Sequence, residues 1–400
     1  MDMDNNSEFF KWLWLVSCFG PGNKRIWDII NIYDMPEKNS ENSLDCAYNM
    51  LRSKEARKKL LKEKEIQKAE AVNEEQISVL FRYCAEHEIS LICFSDPDYP
   101  ERLRNIYNPP AVLFYRGDIS CLGRELVLAV VGTRKPSDYS IKVANALVRG
   151  LCAYELTLVS GFAEGIDIAS HISAVRNGGK TAAILGCGLD YDYPLKNIKY
   201  REEILRNGVF ISEYLPKTRP SKMTFPYRNR ILSGLSQGAA VIEASKKSGS
   251  LVTANLALGQ GRDVFAVPPH NLFDLRYQGN AELLRDGALP IYGLQDILYE
   301  YYENYSHKLT NVKQGEKIEP KSVSADYAKT ENKAAIDFSE LTDDERAIAA
   351  LLQKHNKPLL PDEISALCGI DISEVLGNLT ALEIEGIVKP SEGGRFMLQG

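Results

Sequence analysis

The chain has 400 residues, of which 44% are hydrophobic and 26% are charged, and its formal net charge is −6. This composition is that of a soluble globular protein, and the length predicts roughly two to four domains. The acidic balance excludes a uniformly basic nucleic-acid-binding coat, although it leaves room for a local basic groove.

The N-terminal residues 1–85 predict a small helical domain. Residues 9–35 have a helical pattern that is interrupted by Phe19-Gly20-Pro21-Gly22, a sequence typical of a helix-hairpin-helix-like turn. Such a turn either presents backbone N–H groups to a phosphate or simply reverses the chain. The frequency of glycine and proline in ordinary turns favours the second interpretation.

Short apolar runs alternate with helical segments through residues 90–302. The runs are residues 125–132, 156–161, 181–186, 208–213, 238–244 and 263–268. The helical segments between them include 139–153, 166–176, 226–236 and 250–260. Nearly continuous apolar runs are typical of strands buried on both faces, so this part predicts an α/β fold with a Rossmann-like, doubly wound, mostly parallel sheet.

The C-terminal part predicts a linker over residues 303–340 and a winged-helix domain over residues 341–400. Thr342 with Glu345 forms a capping-box pattern, and three helical segments precede a hairpin pattern. From Asp362 to Val388 there are six acidic residues and no lysine or arginine. Because DNA-reading winged helices use a basic recognition helix, we expect this domain to contact protein or to serve packing.

Ligands of open parallel sheets bind beyond the carboxyl ends of the strands. Gly132, Gly161 and Gly186 follow three of the predicted strands, and Gly165 begins the next helical segment. Glycine at such turns lets backbone N–H groups approach an anionic ligand, so an extended anion is expected there.

Residues 217–230 contain five cations and no acid. The cations are Lys217, Arg219, Lys222, Arg228 and Arg230. Phe225 and Tyr227 lie among them, and cations with aromatic platforms are typical of single-stranded nucleic-acid sites. A solvated loop with aromatic residues in the core is the alternative. Asn229 at a predicted helix start favours binding, and residues 246–254 add Lys246, Lys247, Ser248, Gly249, Ser250 and Thr253.

Several other kinds of site fail on spacing. A Walker A loop ending in Gly179-Lys180-Thr181 would need a glycine where Ala174 stands. The five histidines form no ligand-spaced cluster, and the eight cysteines form no C-x-x-C pair. We therefore expect no metal, no cofactor and no disulfide framework, and we expect reduced thiols in a cytoplasmic protein. Asp167 and His171, one helical turn apart, are expected to be structural.

A series of motifs over residues 92–290 resembles the bacterial DNA-processing protein A family (DprA, or Smf). They include VVGTRKPSDYS, SGFAEGIDIASH, FPYRNRILSGLS and EASKKSGSLVTANLALGQGRDVFAVP, in that order. The resemblance implies a Rossmann-like domain that binds single-stranded DNA, forms homodimers and helps to load the RecA recombinase in natural transformation. It also implies helical N-terminal and winged-helix C-terminal domains.

Carried over to this sequence, the resemblance makes Arg134 the principal phosphate contact. Leu195 stands where many relatives have a basic residue, so Lys196 or Lys199 is expected to supply that charge; Lys135 is expected to face solvent. The complete predicted DNA-binding set is Gly132, Arg134, Ser160, Gly161, Gly165, Lys196, Phe225, Arg228, Asn229, Arg230, Ser248, Gly249 and Ser250.

We favour a non-enzymatic mediator that binds single-stranded DNA, protects it and helps to load RecA. The alternative is a nucleotide-cleaving enzyme of the phosphoribohydrolase type, in which Glu213 and Glu243 would be a carboxylate pair. These carboxylates are more often structural, capping helices or balancing Arg228 and Arg230. A pure scaffold without nucleic-acid affinity is a third possibility.

Overall fold

The computed structural model describes residues 7–32, 43–307, 309, 342–355, 357–384, 387–391 and 395–398. The chain divides into two compact units, Met1–Gln314 and Gly315–Gly400. Most of the predicted linker, residues 303–340, lies outside the described residues. Its beginning belongs to the first unit, because Tyr305 and Leu309 pack against the core of that unit.

The first unit begins with a helical layer built around one buried helix. The helices are α1 (Glu8–Phe19), α2 (Arg25–Ile30), α3 (Ser43–Arg52), α4 (Lys54–Leu60), α5 (Glu63–Ala71) and α6 (Glu74–Glu86). The hydroxyl of Ser7 caps α1 by accepting from the Phe10 amide, and α1 ends at Gly20 with φ +89°. The chain therefore reverses between α1 and α2, at the break that the sequence predicts; residues 33–35 of that predicted segment lie outside the described residues.

The sheet of the first unit is mostly parallel. Its strands are β1 (Ser90–Cys93), β2 (Val112–Gly117), β3 (Val127–Val131), β4 (Thr157–Ser160), β5 (Lys180–Ile184), β6 (Gly208–Ser212), β7 (Gly238–Val241), β8 (Asp263–Ala266) and β9 (Leu289–Pro290). Their spatial order is β1-β2-β6-β5-β4-β3-β7-β8-β9. Each neighbouring pair in the run β6-β5-β4-β3-β7-β8-β9 is parallel. Strand β2 pairs antiparallel with both β1 and β6.

Helices cover both faces of this sheet. They are α7 (Glu101–Arg104), α8 (Asp138–Cys152), α9 (Ile166–Arg176), α10 (Arg201–Leu205), α11 (Thr224–Gly234), α12 (Gly249–Gly259), α13 (Gln278–Arg285) and α14 (Leu294–Tyr302). Alternate residues of β3 enter different cores: Val127 and Ala129 pack with α11 and α12, whereas Leu128 and Val130 pack with α8 and α14. This two-sided burial explains the continuous apolar run and confirms the doubly wound fold.

The strand order creates one crevice at the centre of the sheet. Strands β4, β5 and β6 lie on one side of β3, and β7, β8 and β9 lie on the other. Chain connections therefore leave the carboxyl ends of β3 and β7 in opposite directions, which opens a ligand-binding crevice between them.

The second unit has the winged-helix architecture. Helices α15 (Asp343–His355), α16 (Pro361–Cys368) and α17 (Ile372–Ile384) precede a hairpin of β10 (Val388–Ser391) and β11 (Arg395–Leu398). The predicted capping box is present, since the Glu345 amide donates to Thr342 Oγ1 over 3.3 Å and the Thr342 amide donates to Glu345 Oε2 over 2.9 Å.

Across the ranges that the structure describes, no single helix is long and apolar enough to cross a membrane. Helix α16 and residues 372–383 together are long and apolar enough, but the two segments meet at a bend of 115°.

Candidate nucleic-acid interface

An open cavity of about 620 Å³ lies at the carboxyl ends of β3 and β7. Its wall comes from the turn after β3, the loop after β7 and helix α11. Its polar and charged lining residues include Thr133, Arg134, Asp167, Lys222, Arg228, Asn229, Ser248 and Ser250. The cavity occupies the crevice that the strand order creates, which is where an open α/β sheet binds its ligand.

Arg134 stands on a rigid turn at the mouth of this cavity. The Thr133 amide donates to the Glu243 carbonyl over 2.8 Å, and the Ile166 amide donates to the Thr133 carbonyl over 3.2 Å. The Arg134 side chain is exposed, and no carboxylate of the described residues lies within ion-pair distance of it. A fixed backbone thus carries a guanidinium that is available to an anion.

Arg228 forms the floor of the cavity and is only 4% exposed. Its Nη1 donates to the Gly161 carbonyl over 3.0 Å, and the nearby Asp167 carboxylate accepts from the amides of Gly161 and Ala163. Burial lowers the pKa of Arg228 to about 10, against the opposing charge of Asp167. Arg228 therefore remains a cation at neutral pH.

The glycines after the strands serve packing more than ligand approach. A Cβ at Gly161 would lie 2.6 Å from Asp167 Oδ2, and one at Gly165 (φ +84°) would lie 2.3 Å from the Thr133 carbonyl. The Gly161 amide is already used by Asp167. The Gly161 amide is therefore not free for a ligand, and of the predicted glycines Gly132 and Gly249 line the cavity.

Ser160 and Gly165 support the cavity without lining it. Ser160 is fully buried, and its hydroxyl donates to the Val130 carbonyl over 2.7 Å. Gly161 instead borders a smaller pocket beside the main one, together with Arg134 and Phe225.

The aromatic residues of the basic segment separate into two roles. Phe225 is half-buried in the wall of the cavity, with its ring centroid 5.2 Å from that of Tyr193. Tyr227 lies outside the cavity, and its hydroxyl donates to the Gly22 carbonyl. Only Phe225 offers the stacking surface that the sequence suggests for both.

Arg230 does not reach the cavity. It is 6% exposed, and its Nη2 donates to Glu213 Oε2 over 2.6 Å. Arg230, which was predicted to contact DNA, therefore belongs to a buried ion pair. The alternation of arginines in the sequence does not show which of them is buried.

The loop after β7 is tied to α11. Ser248 caps α12, its hydroxyl lies 2.6 Å from that of Ser250, and Asn229 Nδ2 donates to the Gly249 carbonyl over 3.5 Å. These contacts bring four predicted residues to one place. The N-terminus of α12, with its partial positive charge, adds to the attraction for an anion.

Neither lysine that was expected to supply the charge missing at Leu195 lines the cavity, whereas Lys222 does. Lys196 donates to Glu164 over 3.0 Å, is 78% exposed and does not line the cavity. Lys199 lies over the Tyr200 ring, 5.0 Å from its centroid. Lys222 lines the cavity. Lys222 is one of the five cations of residues 217–230, but it was not included in the predicted DNA-binding set.

We expect Lys222→Ala to lower the affinity for single-stranded DNA about fivefold, as the loss of one exposed charged contact should. Lys196→Ala is the matched control and should leave the affinity unchanged. Fluorescence anisotropy with a labelled oligonucleotide measures both. An equal or larger loss with Lys196→Ala would contradict this placement of the second cation.

The two carboxylates of the enzymatic alternative are occupied and lie outside the cavity. Glu213 is paired with Arg230, and Glu243 Oε2 accepts from the amide and the hydroxyl of Ser137, the residue that caps α8. Both are 1% exposed. They have the structural roles that ion pairing and helix capping predict.

His171 is also structural. Its Nδ1 lies 2.7 Å from the Thr181 hydroxyl, and burial lowers its pKa to about 3. The imidazole is therefore neutral at neutral pH.

Comparison with known proteins decides the family. The family model described as DNA recombination-mediator protein A matches residues 90–302. The chain belongs to this family. A second model, described as the DprA winged helix domain, matches residues 333–394, which confirms the winged-helix prediction and the resemblance to DprA and Smf proteins.

Two curated relatives show the extent of the similarity. DNA processing protein DprA of Bacillus subtilis is 41% identical over 218 residues, which are 54% of this chain and 73% of the relative. DNA processing protein DprA of Streptococcus pneumoniae is 43% identical over 206 residues, which are 52% of this chain and 72% of the relative.

Two solved structures of DNA processing protein A are similar to this chain in fold. The X-ray structure of DNA processing protein A from Streptococcus pneumoniae matches with a TM-score of 0.62 and 30% identity, over 75% of this chain and 99% of that chain. DNA processing protein A from Helicobacter pylori, whose structure describes a single-stranded DNA binding mode, matches with a TM-score of 0.50 and 32% identity, over 55% of this chain and 97% of that chain.

Proposed function

We propose that the chain binds single-stranded DNA without sequence preference in the cavity between the ends of β3 and β7. In this proposal it acts as a recombination mediator that protects incoming single strands and helps to load RecA. The support is chemical. Cations for phosphates and an aromatic ring for a base lie together in an open crevice, and the related Helicobacter pylori protein is described by its single-stranded DNA binding mode.

The observation that carries the proposal is the charge of the cavity wall. Arg134, Lys222 and Arg228 line it, and the one carboxylate among its described lining residues is Asp167. That carboxylate accepts from two backbone amides, and the nearby charge of Arg228 opposes its own. The cavity therefore has excess positive charge although the whole chain is acidic.

A titration tests the binding. Labelled single-stranded and double-stranded oligonucleotides of equal length are compared at two salt concentrations by anisotropy. We expect tighter binding of the single strand and a log–log salt slope of about −0.7 for each phosphate contacted. Equal affinity for both forms, or no dependence on salt, would contradict the proposal.

We also propose that the active form is a homodimer and that its protein partner is RecA. Both assignments rest on membership of the family. Light scattering of the purified chain measures the first, and RecA filament assembly on single strands coated with single-strand-binding protein measures the second. The proposal predicts a mass of two chains and faster filament nucleation in the presence of the protein.

We expect deletion of residues 338–400 to leave single-stranded DNA binding within about twofold of the full chain, because phosphate repels an acidic surface. The acidic residues that the structure describes between positions 362 and 384 are all exposed; they are Asp362, Glu363, Asp371, Glu374 and Glu383. The same anisotropy titration compares the two lengths. If the deletion abolished binding, the winged-helix unit would be part of the DNA site.

A further inference from the structure

The turn between α1 and α2 packs directly against the helix that carries the DNA-binding residues. The Gly22 carbonyl accepts from the Tyr227 hydroxyl and, over 2.6 Å, from Asn108 Nδ2. Gly22 has φ +66°, and a Cβ there would lie 2.3 Å from Tyr227 Cε1. There is thus no room for a side chain between the turn and α11.

Beneath the turn, the contact continues into the protein as a layered stack. The Tyr227 ring covers the Arg230 guanidinium, with 4.5 Å from Arg230 Cζ to the ring centroid. Arg230 is in turn paired with the buried Glu213. A Cβ at Gly22 would also come within 3.0 Å of Glu213 Oε2. The turn therefore contacts the Tyr227 ring, and this ring packs on the buried ion pair of Arg230 and Glu213.

The two sides of α11 have different tasks. Tyr227 and Arg230, three residues apart and so neighbours on the helix surface, form the stack. Phe225, Arg228 and Asn229 line the cavity. Because a helix moves as a unit, displacement of the first pair also displaces the cationic floor of the cavity.

We propose that the turn at Gly20–Gly22, through its contact with Tyr227, is a positioning device that sets the affinity of the cavity for single-stranded DNA. This inference rests on the proposed function. It also assigns the turn a different role from the phosphate-presenting one, since the contact is made by a carbonyl to the protein's own side chains. Gly22, Tyr227 and Arg230 are positioning residues and touch no DNA.

The test uses two glycines of the same turn. Gly22→Ala adds a methyl group that meets Tyr227, whereas Gly20→Ala adds one at φ +89° with nothing within 4 Å. Both substitutions place a side chain at a positive φ, so Gly20→Ala controls for backbone strain without the contact to Tyr227. We expect Gly22→Ala in the full chain to lower the affinity for a labelled single strand roughly fivefold relative to Gly20→Ala.

Two further variants make the experiment decisive. In a Tyr227→Ala background the added effect of Gly22→Ala should become much smaller, because the contact with the ring is gone and only the approach to Glu213 Oε2 at 3.0 Å and to Arg230 Nη2 at 3.2 Å remains. Tyr227→Phe keeps the ring over Arg230 and removes only the hydroxyl, so it should fold and still lose about threefold in affinity. This variant answers the question even if Gly22→Ala does not fold.

Equal affinities for Gly22→Ala and Gly20→Ala, or a wild-type affinity for Tyr227→Phe, would overturn the positioning role. Failure of the proposed function gives a different result, since then the unmodified chain would not bind the single strand or Arg134→Ala would bind it as tightly as the unmodified chain.

Discussion

Replacement of Arg134 by alanine is expected to lower the affinity for single-stranded DNA by roughly tenfold to a hundredfold, the loss of a charged hydrogen bond to phosphate. Arg134 stands on a turn fixed by the Thr133 and Ile166 amides, so little backbone entropy is lost when it binds a phosphate. The magnitude of the salt slope should fall by about 0.7, because one fewer phosphate is neutralised.

Lys135→Ala is the matched control for this result. It removes the same charge from the neighbouring residue, whose exposed side chain does not line the cavity. We expect nearly unchanged affinity and salt slope. If both variants weakened binding equally, the loss would reflect the overall charge of the protein, and the cavity would not be the DNA-binding site.

Replacement of Glu213 by alanine is expected to reduce the free energy of unfolding by about 3–5 kcal/mol, the cost of leaving one buried charge without its partner. Glu213 is 1% and Arg230 is 6% exposed. Within the described part of the chain, Nε and Nη1 of Arg230 already have no hydrogen-bond partner. Loss of Glu213 would leave the guanidinium without an ion-pair partner among the described residues.

The control for Glu213 is an ion pair at the surface. Arg176 Nε lies 3.0 Å from Glu203 Oε1, with side chains 64% and 29% exposed. Glu203→Ala should cost about 1 kcal/mol or less, because solvent screens such pairs. Urea denaturation followed by circular dichroism measures the free energy of unfolding of both variants. If Glu213→Ala lost no more of it than Glu203→Ala, the buried pair would not be essential to the fold.

The architecture was predictable from local patterns. The strands β3 to β8 lie within or one residue outside the predicted apolar runs, and α9 coincides with the predicted segment 166–176. Continuous apolar runs mark strands covered on both faces, and the capping pattern at Thr342 marks a helix start, because both signals come from neighbouring residues.

The site was predictable only in part, for a geometric reason. Arg134 was identifiable because it follows a predicted strand at the ligand-binding edge of a parallel sheet, and Asn229 because it lies between two arginines at a predicted helix start. Arg230 and Tyr227 were not separable from them by sequence, since adjacent helix positions point in different directions. Whether an arginine faces a cavity or a buried glutamate depends on the rotation of α11.

The fold class, the strand-end location of the site and the acidic character of the winged-helix unit all follow from the sequence. These depend on composition and on short-range periodicity. The tertiary structure alone decided that Arg230 is held by Glu213, that Lys222 lines the cavity while Lys196 pairs with Glu164, and that Gly22 packs on Tyr227. Each pairing joins residues distant in the chain, and only the packed molecule brings such groups within bonding distance.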